Sequence, residues 1–352
     1  MKKILIIQNK RIGDVLLSTV IADNIKKVYP KSQVDFLAYD YCTGVLDHHA
    51  NIDNIISIAE KDLKGLGNLL KMARQIRKTK YDIIFDPYAK FQSRVLCLLS
   101  GAKQRIGSVK IGKSEKLGAY THPVTLLEKA TLNCGKSLED RVHLVTSQFN
   151  IKDPIYKPKI HLEPLELSHD KVSKIDEPIL VFGILGSNPK KSMPLDYVLN
   201  LVNYVTEHYK AKIVFNYAPY QKEQAKTLYE RCERKDQILF DVYEENIRGF
   251  VQLMNASTLL VANEGGSVHI AKALNKPTFT IYSPYILRES WASFEDGKTH
   301  TSVHLLDHKP ELFKTDRATR KNIEENPQLM YEEFKPELII PELKAFLDYH
   351  LA

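Results

Sequence analysis

The sequence predicts an α/β protein built from two doubly wound domains, and three observations support this prediction. The chain has 352 residues, whereas single hydrophobic cores stop growing at roughly 250–300 residues. Short apolar runs alternate with longer amphipathic segments, which is typical of parallel sheets with helical crossovers. This alternation occurs twice, on either side of a stretch rich in Pro, Lys and Glu at residues 153–177.

The first series begins with an apolar run at residues 3–8, typical of a strand buried on both faces of a sheet. Apolar residues then recur with helical spacing, which predicts a helix over residues 14–28 that Pro30 ends. The same reasoning predicts further strands at 33–38, 54–58 and 82–86, and helices at 63–78 and 91–99.

The second series contains predicted strands at 178–184, 212–216, 237–242, 258–262 and 277–282, with predicted helices at 195–209, 221–234, 247–255 and 267–274. Residues 307–328 look like an irregular polar excursion, and residues 336–352 read as a terminal helix. With the linker near residues 160–176, we expect domains at 1–165 and 166–335. We expect the terminal helix to pack back on the N-terminal domain.

Composition and charge narrow the class of function. A net charge of +7 is too small to indicate a nucleic-acid-binding protein. It is consistent with binding of an anionic ligand or an acidic lipid surface, and equally with a charge that only keeps the protein soluble. Cys42, Cys97, Cys134 and Cys232 are scattered, which predicts reduced, buried thiols and no zinc site. The run behind Met1 is too short for a signal peptide, and no run approaches the roughly 18 apolar residues of a spanning helix. We therefore expect a cytoplasmic protein.

Ligands of open α/β sheets bind at the carboxyl ends of the strands, so residues that follow strands are the most informative. After the first strand, Gly13 permits a tight turn and Asp14 stands at the start of a helix. Asp14 is either a helix cap, which spacing alone favours, or a general base that faces a cleft between the domains. One glycine is a poor match to G-x-G-x-x-G, which disfavours a nicotinamide-dependent oxidoreductase.

A loop in the second half offers groups that suit phosphate. Gly186 and Ser187 supply backbone and hydroxyl donors, while Lys190 and Lys191 supply positive charge. The same residues are equally consistent with a solvated loop.

The sharpest pattern is Glu264-Gly265-Gly266-Ser267-Val268-His269, where a strand ends and a helix begins. Such a turn aims free N–H groups and the helix dipole at an anion. His269 lies one turn into the helix, as either a ligand contact or a packed core residue. Glu264 repels phosphate, so it would bond ribose hydroxyls, orient a neighbour or cap the helix.

In this order, the Gly13-Asp14 turn, the Lys191 loop at 186–194 and the Glu264–His269 motif resemble the family-9 glycosyltransferases, above all the bacterial lipopolysaccharide heptosyltransferases. Residues 82–106 resemble that family's acceptor-side segment, and the resemblance covers nearly the whole chain. It implies two facing Rossmann-like domains in the GT-B arrangement. It also implies inverting, metal-independent transfer of a heptose or related sugar from an ADP-sugar, with no cofactor.

Position within the family's motifs implies a role for each site residue. Asp14 inherits the catalytic base, and the donor contacts fall on Gly186, Ser187, Lys191, Glu264, Gly265, Gly266, Ser267 and His269. The acceptor, a lipopolysaccharide core or lipid A–Kdo, is expected at Gly13, Lys90, Arg94 and Arg105, although the three basic residues are equally consistent with solvated surface charges. The basic helix around Lys71, Arg74, Arg77, Lys78 and Lys80 is a candidate for peripheral contact with the inner membrane.

The chain also departs from the family's pattern. Glu264 replaces the commoner Asp, Gly265 replaces Ser or Thr, Met193 replaces an aromatic residue, and the tail lacks a cysteine cluster. We expect these differences to affect which sugar and which nucleotide base the donor carries, more than they affect the type of reaction. Two alternatives stay open: a sugar-nucleotide epimerase that needs no acceptor, and a non-catalytic nucleotide-sugar-binding protein.

Overall fold

The computed structural model describes residues 1–115, 117–313 and 317–351, without the side chains of residues 317–320. The chain divides into two units. The first comprises Met1–His161 and Glu289–Ser293, and the second comprises Leu162–Arg288 and Phe294–Ala352. The segment Glu289–Ser293, which we expected in the second domain, is therefore part of the first unit.

The first unit is a six-stranded parallel sheet with the order β3-β2-β1-β4-β5-β6. Because the strand order reverses between β1 and β4, the topological switch point lies between these two strands. The strands are β1 Lys3–Ile7, β2 Gln33–Tyr39, β3 Asn54–Ile58, β4 Ile83–Asp86, β5 Gln104–Val109 and β6 His122–Thr125. The helices are α1 Ile12–Leu17, α2 Thr19–Val28, α3 Leu66–Thr79, α4 Phe91–Leu99 and α5 Lys136–Thr146.

The helix predicted over residues 14–28 is two helices, α1 and α2, that meet at Ser18. The Ser18 hydroxyl donates to the Asp14 carbonyl (2.8 Å), and the Thr19 hydroxyl donates to the Leu16 carbonyl (2.8 Å). Side-chain hydroxyls that bond the preceding turn in this way compete with the helical backbone ladder. The break therefore has a local cause that apolar spacing alone does not reveal.

The second unit is a five-stranded parallel sheet with the order β11-β10-β9-β7-β8 and its switch point between β7 and β9. The strands are β7 Ile179–Gly183, β8 Lys212–Asn216, β9 Leu259–Asn263, β10 Thr278–Ile281 and β11 His300–Val303. The helices of this unit are α6 Leu195–His208, α7 Lys222–Arg231, α8 Ile247–Ala256, α9 Gly266–Ala273, α11 Leu305–His308, α12 Arg317–Glu325, α13 Pro327–Glu333 and α14 Pro336–Leu351. The short helix α10 Arg288–Trp291 belongs to the first unit from Glu289 onward. Two parallel, doubly wound sheets confirm the predicted α/β class.

Two predictions about the second unit are wrong. Residues 237–242 form no strand, because only one bridge, between Ile213 and Ile238, extends the sheet there. The buried side chain of Ile238 fills the core at this edge, and burial alone produced the strand-like pattern. The expected irregular excursion at 307–328 instead contains α12 and the first two residues of α13, whose short lengths make helical spacing hard to recognise; residues 314–316 lie outside the described part.

The terminal helix α14 packs on the second unit, so the expectation that it packs on the N-terminal domain is wrong. Its buried residues Leu343 and Leu347 belong to the core that also contains strand residues of β10 and β11. The Phe346 ring lies 5.7 Å from the ring of Phe279, and the Tyr209 hydroxyl donates to Asp348 (2.8 Å). The apolar face of α14 therefore completes the core of the sheet that precedes it in the chain.

All four cysteines are buried and free, which confirms their prediction as buried thiols. Burial raises the pKa of Cys42 and of Cys134 to about 12. These two side chains are therefore protonated near neutral pH.

Replacing Leu343 by Ala should lower the free energy of unfolding by about 2–5 kcal/mol, because a cavity opens in a fully buried position. Urea unfolding, together with amide hydrogen exchange of β11, measures the effect. The matched control is Tyr349→Ala on the same helix, where the side chain is 62% exposed. Equal effects of the two substitutions would contradict the packing of α14 described above.

Candidate active site

The switch point of the first unit places the segment after β1 beside the segment after β4. These two strands pair in parallel, so their carboxyl ends lie together. The Lys10 ammonium, after β1, lies 5.5 Å from the ring centroid of Tyr88, after β4. Two segments that the sequence analysis selected separately therefore form one surface.

Asp14 lies in the first turn of α1, third in the helix, and its residue is 7% exposed. The helix begins at Ile12, and its cap position, Arg11, has no side-chain capping bond. The interpretation of Asp14 as a helix cap is therefore wrong. It failed because the helix starts two residues earlier than predicted.

Two cations bond the same oxygen of Asp14. Its Oδ1 accepts a hydrogen bond from Lys10 Nζ at 3.0 Å and another from Arg141 Nη2 at 2.9 Å. Within the described residues, Oδ2 accepts no hydrogen bond. The carboxylate is thus fixed through one oxygen and keeps the other available as an acceptor.

Arg141 is a site residue that the sequence analysis missed. It lies on α5, 127 residues from Asp14 in the chain, and it is buried. No element was predicted there, although the buried residues Leu138, Val142 and Val145 have helical spacing and would have indicated the helix. The partnership with Asp14 has no sequence signal of its own.

A pocket of about 270 Å³ opens at the carboxyl ends of the strands in the first unit. Its lining combines basic and aromatic side chains: Lys10, Arg11, Lys64, Tyr39, Tyr41 and Tyr88. The Tyr39 and Tyr41 rings stack with centroids 5.7 Å apart. Since Lys10 both lines this first-unit pocket and bonds Asp14, the carboxyl group lies close to the pocket.

Two phenols of the first-unit pocket, Tyr41 and Tyr88, have raised pKa values and are neutral at neutral pH. Burial raises the pKa of Tyr88, and the negative charge of Asp14 raises it further. Burial also raises the pKa of Tyr41, whose hydroxyl donates to Glu60 at 3.3 Å. Lys10 pairs with Asp14 and Lys64 with Glu60, which also lines the pocket, so neutral phenols stand beside paired charges and the lining suits a polar ligand.

Among the expected acceptor residues, the structure brings Lys90 and Gly13 to this region. Lys90 is exposed at the start of α4, and its ammonium lies 5.8 Å from the Tyr88 ring centroid. Gly13 is buried in the first turn of α1, next to Asp14.

Arg94 and Arg105, also expected to bind the acceptor, do not line this pocket. The Arg94 guanidinium donates through Nη2 to both carboxylate oxygens of Glu115 at 2.6 Å, while its buried Nε has no hydrogen-bond partner among the described residues. Arg105 lies near the amino-terminal end of β5, away from the carboxyl ends, and donates to the carbonyls of Ala102 and Ala119. Both arginines therefore bond groups of their own unit, and their contact with an acceptor stays a prediction.

The switch point of the second unit joins the loop after β7 to the turn after β9. Lys191 Nζ donates to Glu264 Oε2 at 2.6 Å. A Cβ added at Gly186 would lie 2.4 Å from the Lys191 carbonyl oxygen, so the loop folds tightly over this glycine. Glu264 is therefore engaged with a cation, which gives it the neighbour-orienting role among those considered.

The turn before α9 leaves open space above the start of the helix. Gly265 is the cap residue with extended backbone (φ 171°), and a Cβ there would come no closer than 3.9 Å to a neighbour. No side chain caps the helix at Gly265, and Ser267 lies in its first turn. Gly265 is thus not required by the turn itself; its missing side chain leaves room for a ligand at the first-turn N–H groups.

Three further residues of this region differ in their exposure. Ser187 is exposed, and its carbonyl accepts a hydrogen bond from the Tyr220 hydroxyl at 3.1 Å. His269 is 4% exposed within α9. Met193 is buried in the core of the second unit, so it replaces the family's aromatic residue in a packing position. In the part of the chain that the structure describes, no group of three or more His, Cys, Asp or Glu side chains could hold a metal ion.

Comparison with known proteins places these features in a family context. The family model of glycosyltransferase family 9 (heptosyltransferase) matches residues 69–321. The chain is 22% identical to lipopolysaccharide heptosyltransferase 2 of Escherichia coli over 298 residues, which cover 80% of this chain and 83% of the relative.

Two solved structures share the fold. The crystal structure of a family 9 glycosyl transferase from Veillonella parvula aligns with a TM-score of 0.79 and 18% identity, covering 98% of this chain and 97% of that chain. The Escherichia coli ADP-heptose lipopolysaccharide heptosyltransferase II aligns with a TM-score of 0.73 and 17% identity, covering 99% and 98%. The α/β fold with two parallel sheets is therefore shared with enzymes of this type.

Proposed function

Because the chain belongs to glycosyltransferase family 9, we propose that this glycosyltransferase moves a heptose or a related sugar from an ADP-linked donor to a lipopolysaccharide core acceptor. The similar Escherichia coli protein is a lipopolysaccharide heptosyltransferase, and the name of one solved relative includes ADP-heptose. Both support this choice of donor and acceptor. Family membership identifies a transferase, so we do not retain the epimerase or the non-catalytic binder.

The observation that carries the proposal is the state of Asp14. Its Oδ1 is occupied by two cationic donors, and its Oδ2 accepts no hydrogen bond within the described residues. A general base needs a fixed position and one open lone pair within reach of the proton that it takes. Asp14 meets both requirements next to a pocket that fits a polar ligand.

The proposed reaction is a single displacement with inversion. The acceptor hydroxyl oxygen forms a bond to the anomeric carbon as the bond from that carbon to the donor diphosphate breaks. The hydroxyl proton passes to Asp14 Oδ2, and the bonding electron pair leaves with the nucleoside diphosphate. General base catalysis of this kind accelerates a reaction about 10²–10⁴-fold.

The first-unit pocket is the proposed acceptor site. Its volume of about 270 Å³ is slightly below the roughly 300–1,000 Å³ of ordinary small-molecule sites, which suits one sugar ring better than a whole oligosaccharide. The tyrosine faces provide surfaces for a sugar ring. Lys10, Arg11 and Lys64 provide positive charge for a carboxylate or phosphate, and Lys90 extends this charge beyond Tyr88.

The second unit is the proposed donor site. Lys191 and the first-turn N–H groups of α9 would bind the diphosphate, with Gly186, Ser187, Ser267 and His269 in supporting contacts. Negative charge grows on the leaving diphosphate during transfer, and preformed positive groups stabilise it. In this proposal Lys191 and the helix start do so without a divalent cation, while Glu264 holds the lysine in place.

We also propose peripheral contact with an anionic membrane through α3. Lys71, Arg74, Arg77, Lys78 and Lys80 are all exposed along or just after this helix, opposite its buried residues Leu69, Ala73 and Ile76. Two large apolar side chains, Leu66 and Phe91, are 70% and 64% exposed at the starts of α3 and α4. Across the described residues, the helices are all too short or too polar to cross a membrane.

Nucleotide preference tests the donor proposal. We expect ADP to raise the melting temperature more than UDP or GDP, since stabilisation by a bound ligand follows its affinity and reaches about 2.7 kcal/mol at 100 times Kd. Lys191→Met should remove most of the ADP shift, and Lys222→Met, at an exposed position on α7, should leave it intact. Equal shifts for the three nucleotides would contradict the ADP-linked donor.

Asp14→Asn tests the base. The amide keeps the size of the side chain and removes its ability to accept the proton, so turnover of ADP-heptose with a Kdo-bearing lipid A acceptor should fall about 10²–10⁴-fold. The ADP-induced thermal shift should stay unchanged. Glu128→Gln, an exposed acid of the same unit, is the control. Near-normal turnover in Asp14→Asn would exclude this residue as the base.

Vesicle binding tests the membrane proposal. The protein should co-sediment with vesicles that contain anionic phosphatidylglycerol, and added salt should weaken the binding because screening reduces electrostatic attraction. Changing Lys71, Arg74 and Lys78 together to Gln should abolish it, whereas a triple change of Lys222, Lys226 and Lys235 in the second unit should not. No binding at low salt would rule out this surface.

A further inference from the structure

A buried arginine, Arg141, bonds the carboxylate of the proposed base, Asp14. Arg141 is 7% exposed, and its guanidinium donates in three directions within the first unit. Nη2 donates to Asp14 Oδ1 at 2.9 Å, Nε donates to Ser18 Oγ at 2.9 Å, and Nη1 donates to the Ser137 carbonyl. Each of the three guanidinium nitrogens therefore bonds a neighbouring protein atom.

The position of Arg141 requires a counter-charge, since an unpaired buried charge is costly. Asp14 is the carboxylate with which it forms a salt bridge. The two groups are thus mutually dependent: the arginine needs the carboxylate for neutralisation, and the carboxylate takes its orientation from the arginine.

Ser18 links the Arg141 side chain to the backbone of Asp14. Its Oγ accepts hydrogen bonds from Arg141 Nε and from Gln8 Nε2 (2.8 Å), and its hydroxyl donates to the Asp14 carbonyl. The residue that breaks the helix between α1 and α2 therefore also connects β1, Asp14 and α5. A planar guanidinium bonds several fixed acceptors at defined angles, which a lysine ammonium on a flexible stem does not reproduce.

Lys10 and Arg141 bond the same oxygen but lie in different surroundings. The Lys10 side chain is 35% exposed and lines the first-unit pocket, so it is placed to contact a ligand directly. The Arg141 side chain is 8% exposed and does not line that pocket. Any influence of Arg141 on the reaction must therefore pass through Asp14.

We propose that Arg141 is a positioning residue: it fixes the Asp14 carboxylate through Oδ1 so that Oδ2 is presented to the acceptor hydroxyl. It does not touch the substrate. This inference rests on the proposed function, in which Asp14 is the base. Removing the arginine should leave substrate binding intact and slow the proton transfer, because a misplacement of about 1 Å costs on the order of 10²-fold.

Crystal structures test the positioning directly, without any assay. In Arg141→Gln, the Asp14 side chain should leave its wild-type rotamer or appear in several conformers. In Lys136→Gln, which breaks the ion pair with Asp140 on the same helix, Asp14 should stay in place. An unchanged Asp14 rotamer in Arg141→Gln would overturn the proposal.

Steady-state kinetics with ADP-heptose and Kdo-bearing lipid A supply the second test. Arg141→Gln should lower kcat on the order of 10²-fold, with the KM of each substrate within about twofold and Lys136→Gln at the wild-type rate. Arg141→Lys should recover only part of the loss, since it restores the charge and not the fork. A raised acceptor KM with unchanged kcat would show a binding role and overturn the proposal.

A double-mutant cycle separates this inference from the proposed function. If Arg141 acts through Asp14, adding Arg141→Gln to Asp14→Asn should lower kcat no further. Independent, multiplicative losses would overturn the positioning role while leaving Asp14 as the base. Near-normal turnover in Asp14→Asn alone would instead overturn the proposed function.

Should Arg141→Gln fold poorly, Ser18→Ala provides the same test with a smaller change. It removes the partner of Arg141 Nε and keeps both charges. We expect a smaller loss of kcat, of about tenfold, and again no further loss in the Asp14→Asn background. Full activity in Ser18→Ala, together with an unmoved Asp14 side chain, would overturn the proposal.

Discussion

The first unit depends on a carboxylate that two cations hold through one oxygen. Arg141 and Lys10 both bond Asp14 Oδ1, and Ser18 ties the same arginine to the junction between α1 and α2. The contact therefore joins the end of β1, the first helical segment and α5. Its geometry also explains why Asp14 is no ordinary helix cap: its carboxylate is directed to side chains and not to the first-turn N–H groups. Burial makes this arrangement costly to disturb, because loss of Asp14 would leave the buried Arg141 charge without its carboxylate.

The second unit uses the converse arrangement at its own switch point. There the group proposed to act on the ligand is the cation, Lys191, and the acid, Glu264, orients it at 2.6 Å. In the first unit the proposed acting group is the acid, and the cations orient it. Each half thus carries one charge that is proposed to act in the reaction and that an opposite charge holds in place. Such pairing keeps a charged side chain in position before the ligand arrives, which reduces the reorganisation required during the reaction.

Local patterns predicted much of the fold and part of the site. The strands at β1, β2 and β7 follow from short apolar runs, and the rule for carboxyl ends led directly to Asp14, Lys191 and Glu264. Contacts between residues that are distant in the chain could not be predicted from local patterns. Arg141, for example, is 127 residues from Asp14 and lies on a helix that was not predicted. Charge and sequence proximity also do not reveal that Arg94 bonds Glu115 or that Arg105 bonds two backbone carbonyls. The apolar face of α14 indicated burial without indicating which sheet it would cover.

Oδ2 of Asp14 is the oxygen proposed to meet the acceptor hydroxyl. A crystal structure of the wild-type chain with ADP and a Kdo-bearing acceptor fragment measures this contact. We expect an acceptor hydroxyl at about 2.6–3.2 Å from Oδ2, with Arg141 and Lys10 still bonded to Oδ1. An acceptor hydroxyl that bonds another side chain, with Asp14 Oδ2 turned away from it, would exclude Asp14 as the base.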